Sequence, residues 1–189
     1  MTNFFQPISN EQYQSFVFED DLVQIDWHES YAPILQESFG RNLSSKLRPL
    51  RIIPNPQESK KSKIADVSLL GAHSIIIFSF AAYESLHHSL APYGDFVPLK
   101  NADLPYIAFH VHKVFSNAVI WEKSEYRETA AGGKILYKPT LNGLVVKDSY
   151  IFMLKESVTQ IYFSEEFLAD CKKYKLTGVK KCIVVEAEN

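Results

Sequence analysis

Two cysteines in 189 residues, Cys171 and Cys182, are too few to build a disulfide framework. Charge of one sign is also scarce: 20 Lys and Arg stand against 22 Asp and Glu, a formal net charge of −2. That balance makes no strong field, so the basic footprint of a nucleic-acid-binding protein is missing. Long hydrophobic runs are absent too. The longest, "SIIIFSFAAY", is about half of what a membrane-spanning helix requires. The opening "MTNFFQPISNEQYQ" lacks the basic and apolar regions of a secretory leader. These absences predict a soluble, reduced, cytoplasmic protein with neither membrane nor nucleic acid as partner.

Catalytic signatures are missing as well. The chain has no Gly-x-Ser-x-Gly elbow and no His-Glu-x-x-His pair. Gly132-Gly133-Lys134 is not a phosphate loop, because the position that needs the first glycine is Glu128 and Ile135 follows the lysine. A flexible turn is the better account. Cys171 and Cys182 fall in apolar stretches, where cysteine behaves as a small hydrophobe. His110 and His112 are two apart on an expected strand, so both could reach one metal. A third ligand would have to come from a distance, from His87 or His28; two surface or sheet-face histidines is the plainer reading. His87 and His88 suit the C-terminal end of a helix dipole. We expect no bound metal, no cofactor and no catalytic residue.

What is present is a hydrophobic fraction of 46% with 13% aromatic residues, the composition of an ordinary globular domain. Pro54 and Pro56 with the polar run after them form the clearest loop, separating an N-terminal extension, residues 1–64, from the main body, residues 65–189, on which it is expected to pack as part of one globular unit. Lys60, Lys61 and Lys63 are simplest as a solvated part of that loop. From Ser74 the punctuation becomes regular. "SIIIF" reads as a buried strand, Ser79 as a helix cap, and Phe80, Tyr83, Leu86 and Leu90 as one apolar helix face. Pro92 and Gly94 end that helix, and "DFVPL" continues as a strand. The same grammar returns near the C-terminus: "QIYF" is a strand, Ser164 a cap, and Glu165 and Glu166 favour the helix start. Phe167, Leu168, Cys171 and Tyr174 form its apolar face. Thr177 and Gly178 stop it, and "CIVV" returns. This is a weak internal repeat of a strand–helix–strand module.

Between the repeats, "YIAFHVHKVF" alternates, with Ile107, Phe109 and Val111 on one face and His110 and His112 on the other. Asn142-Gly143 lies between apolar runs and signals a hairpin. The whole predicts an α+β fold: mostly antiparallel sheet, a few packed helices and two strand–helix–strand modules.

The stretches "DFVPLK", "YIAFHVHKVFSNAVIWEKSEY" and "IFMLKESVTQIYFSEEFLADCKKYKLTGVKK", in this order, resemble the bacterial immunity-protein family eleven, formerly a domain-of-unknown-function family. The resemblance spans roughly residues 65–185. It is carried by Lys123-Ser124-Glu125, Ile151-Phe152 with Leu154-Lys155, Ser164-Glu165, and Leu176-Thr177-Gly178-Val179. The chain departs from that pattern at His110, where an asparagine is common, and at Asn117 and Ile120, where acids are. The resemblance implies a cytoplasmic antidote that binds and blocks a cognate polymorphic toxin by protein–protein interaction, without catalysis. Two other readings stay open: a binding or scaffold domain with no toxin partner, and a small enzyme whose site is assembled from distant residues. Interface anchors are enriched in Trp, Tyr and Arg, so Trp121, Tyr126 and Arg127 are the candidate partner-binding residues. Packing of Trp121 on the sheet, with Lys123-Ser124-Glu125 shaping a turn, is the structural alternative.

Overall fold

The computed structural model describes residues 2–8, 11–19, 39–41, 51–58, 63–70, 75–100, 105–179 and 182–188. His28, Lys60 and Lys61 lie outside them. The fold is α+β and dominated by antiparallel sheet.

The two repeats each build a split strand–helix–strand unit. In the first, β5 (Ile75–Ser79) leads through α1 (Phe80–Leu90) to β6 (Gly94–Val97), and β7 (Tyr106–Val111) runs antiparallel between them. With β4 (Val67–Leu69) they form a sheet of order β4-β5-β7-β6. In the second, β13 (Ser157–Ser164) leads through α3 (Glu165–Lys173) to β14 (Cys182–Glu188). The strand between those two comes from the chain start: β1 (Thr2–Pro7) is antiparallel to both. The sheet is widened by β11 (Leu141–Asn142) beside β14 and by β12 (Ile151–Leu154) and β8 (Val114–Phe115) beyond β13.

Both serines cap as the sequence indicates. Ser79 Oγ accepts from Ala82 N at 3.2 Å, and Ser164 Oγ accepts from Phe167 N at 3.0 Å. The glycines of the repeat serve close approach. A Cβ on Gly94 would strike the His110 carbonyl and the Phe109 ring, and one on Gly178, at φ 105°, would strike the Val67 carbonyl.

α1 and α3 bury Leu86, Leu90, Phe167 and Cys171 in one cluster with Phe78, Phe109, Met153 and Phe163 from both sheets. The far face of the four-stranded sheet is covered by Phe16, Phe18 and Ile52 of an antiparallel strand pair, β2 (Phe16–Phe18) with β3 (Ile52–Pro54). The far face of the six-stranded sheet packs Phe4, Phe152 and Tyr162 under Leu136 and Val146.

Asp66 joins the two modules. Its carboxylate accepts from the cap hydroxyl of Ser79 at 2.8 Å, from Thr177 N at 2.9 Å and from Thr177 Oγ1 at 2.7 Å. Burial would raise its pKa, but these hydrogen bonds together outweigh burial and hold it below the usual carboxylate value.

Four local expectations are corrected. α3 ends at Lys173, before Thr177-Gly178, because Lys175 turns to φ 57° and Leu176 N bonds back to the Cys171 carbonyl at 2.8 Å. Phe80 is 52% exposed, since the buried row of α1 is Ala82, Leu86 and Leu90. Tyr174 is exposed because it lies past the last buried turn. Asn142-Gly143 is not a hairpin: Asn142 Oδ1 accepts from Leu144 N at 3.1 Å and caps the short α2 (Gly143–Val146).

Candidate protein-binding surface

The stretch holding Trp121, Tyr126 and Arg127 folds as a 3-10 turn, Trp121–Lys123, followed by a hairpin of β9 (Glu125–Glu128) and β10 (Lys134–Lys138). Its base is pinned by Ser124 and Thr140. Ser124 Oγ donates to the Ile120 carbonyl at 2.8 Å and accepts from Thr140 N at 2.9 Å, while Thr140 Oγ1 donates to the Lys123 carbonyl at 2.9 Å. Lys123 pairs with Glu188 on β14. The tip is closed by Thr129, whose N–H donates to the Gly133 carbonyl at 2.7 Å, with Gly132 at φ 79°. The Gly132-Gly133-Lys134 stretch is thus a tight turn.

The hairpin has two unlike faces. Tyr126 and Leu136 are cross-strand partners on the inner one, where Leu136 is buried and Trp121, half-buried, packs on the same cluster. Arg127 and Ile135 are partners on the outer face. A β-bulge leaves Tyr137 beside Lys138 opposite Glu125. All four residues of β9 are exposed, as are Ile135 at 40% and Tyr137 at 52%. The fold therefore separates the three candidates: Trp121 and Tyr126 meet edge to face at 5.2 Å, and Arg127 points away from both. Ile135 and Tyr137 complete the outer face. Their signal was the apolar run Ile135-Leu136-Tyr137 between two lysines in "KILYK", since a strand that buries Leu136 must turn Ile135 and Tyr137 the other way.

Of the two placements expected for the histidines, surface or sheet face, His110 takes the sheet face: it lies on β7 and is fully buried, since that face is covered by the paired strands β2 and β3. Among the described residues, neither of its ring nitrogens has a hydrogen-bond partner. Burial pushes its pKa down to about 4, the Asp95 carboxylate opposing and His112 adding to the fall. His112 follows the strand, half-buried, with Nδ1 3.6 Å from Asp95 Oδ2. Among the described residues, no group of three or more His, Cys, Asp or Glu is placed to hold a metal ion. His87 Nδ1 lies 3.1 Å from the Tyr83 carbonyl, one turn back on its own helix.

Burial pushes the Cys171 thiol up to about 12 and the Cys182 thiol up to about 11, so both stay protonated at neutral pH. A cleft of about 70 Å³ between β4 and the segment after β1 is lined by Glu11, Tyr13, Ser15, Glu58, Phe163 and Val179, among others; no histidine or aspartate is among the described residues of its lining. A wider groove of about 390 Å³ passes Tyr93, Phe115, Leu144, Lys113 and Lys147. No helix of the described residues is long and apolar enough to cross a membrane.

No family model matches the chain, and no curated protein matches it.

Proposed function

We propose that this protein acts by stable association with another protein, and that the partner is a cognate bacterial polymorphic toxin which it neutralises in the cytoplasm without catalysis or cofactor. The family part of this reading rests on the ordered stretches of the sequence alone. What supports the binding part is the β9–β10 hairpin, which turns Ile135, Tyr137 and Arg127 outward while Leu136 and Trp121 anchor it to the core. Tyr137 and Arg127 are of the residue types that dominate binding energy, and Ile135 between them extends the exposed apolar area that marks interaction sites. A stable interface needs about 800 Å² from each partner, so the hairpin would be the anchor within a wider contact.

An antidote of this type covers the toxin's active site or holds its moving parts, so its own chemistry can be inert. The test is co-expression with a candidate polymorphic toxin from the same genome, in cells where the toxin alone arrests growth. Protection by the wild-type protein, with a stoichiometric complex on purification, is the expected result. Growth arrest despite soluble, folded protein would count against the toxin as partner. A complex with some other protein in place of the toxin would point to a scaffold domain.

A further inference from the structure

Trp121 and Tyr126 form a corner: their rings stand at 85° with centroids 5.2 Å apart. Lys134 places its ammonium in that corner, 4.7 Å from the Trp121 centroid and 4.4 Å from that of Tyr126. Two perpendicular π-faces around one cation are the walls of an aromatic cage, the arrangement that takes up alkylammonium groups. Lys134 is exposed and makes no ion pair among the described residues. Its cross-strand partner is Glu128, which lies on the same face of β9 as Tyr126 and adds a negative charge beside the corner.

We propose that this corner is a seat for a basic side chain of the protein partner, a lysine or arginine, and that Lys134 is a resident placeholder displaced on docking. The long, flexible stem of Lys134 lets it leave without moving the hairpin backbone, whereas Trp121 is held by the core cluster. The placeholder keeps an apolar corner from lying bare in the free protein, and it sets a threshold for entry. If Lys134 fills the seat about three-quarters of the time, an incoming cation meets an open seat about a quarter of the time and binds about fourfold more weakly.

The inference deepens the protein-binding reading, and its test needs no toxin. Tetramethylammonium chloride is titrated into the whole protein against sodium chloride at equal ionic strength. The readout is the Trp121 indole N–H in ¹⁵N spectra, assigned by its loss in Trp121→Leu. A saturable shift is expected, tightened about fourfold in Lys134→Gln and lost in Tyr126→Leu, with the amides of β12 and β14 unmoved in both variants. Equal binding by wild type and Lys134→Gln, binding that survives Tyr126→Leu, or no saturable shift in either protein would overturn it. Such a failure leaves the toxin reading standing, just as absence of protection by the wild type would leave the cation seat standing.

Discussion

The two strand–helix–strand modules and the β9–β10 hairpin use the same kinds of residue to opposite ends. Within the modules, the aromatic side chains Phe78, Phe109, Phe163 and Phe167 are closed into a shared core, and the helix starts are capped. The Asp66 carboxylate is engaged by both modules at once. On the hairpin, Tyr126, Ile135 and Tyr137 stay in solvent although a buried cluster lies directly beneath Leu136. Apolar area left in water beside a core that could have absorbed it contributes nothing to folding. The difference separates residues whose loss should unfold the protein from residues whose loss should only change what it binds.

The strongest way to break that division is in the core. Phe167→Ala removes a ring stacked on Phe163 at 4.2 Å and fully buried, and should cost about 3–5 kcal/mol in urea unfolding. A loss below about 1 kcal/mol would mean that the modules are not the scaffold.

Acid should act next, through His110. Its folded-state pKa of about 4 lies below the ordinary 6.5. Between those values the unfolded chain takes up a proton that the folded one refuses, so stability is complete above about pH 6.5 and falls toward pH 4. The linkage for such a shift is on the order of 3 kcal/mol. Below that, Asp66 extends the loss as its hydrogen-bonded carboxylate protonates. His110→Leu, which removes two unpartnered nitrogens from an apolar site, should flatten the dependence between pH 6.5 and 4.5. An unchanged slope in that variant would move the acid sensitivity to another group.

A smaller effect belongs to the caps. Ser164→Ala frees the Phe167 amide and should cost about 1 kcal/mol without altering binding.

The modules were legible because their signals are local: a β-branched run, a serine at the strand exit, acids in the first turn of α3. The glycines were legible as punctuation, but their reason was not. Gly178 lies against Val67 and Gly94 against Phe109, contacts made by pairing and packing, which local sequence does not reveal. The same limit hid β1, whose "TNFFQP" shows no clean period because its pattern answers to two neighbours from the far end of the chain. It also hid the burial of His110, since alternation along β7 predicts two unlike faces and gives no sign that the paired strands β2 and β3 cover the second. Asn142-Gly143 misled because asparagine serves both type I′ turns and helix caps. On the candidate surface, Trp121, Tyr126 and Arg127 were singled out by residue type alone; Lys134, Ile135 and Tyr137 joined them only once the strand register was known.

The central claim is that the hairpin's outer face binds while the modules hold the fold. The most direct measurement is the affinity of purified Ile135→Ser/Tyr137→Ser for the toxin proposed as its partner, by calorimetry alongside the wild type, with urea unfolding of both proteins. The account predicts stability within about 0.5 kcal/mol of wild type, since both side chains are exposed. It predicts affinity weakened by at least about thirtyfold, the equivalent of about 2 kcal/mol at an interface anchor. Unchanged affinity in a variant of unchanged stability would contradict it and move the binding face elsewhere on the molecule.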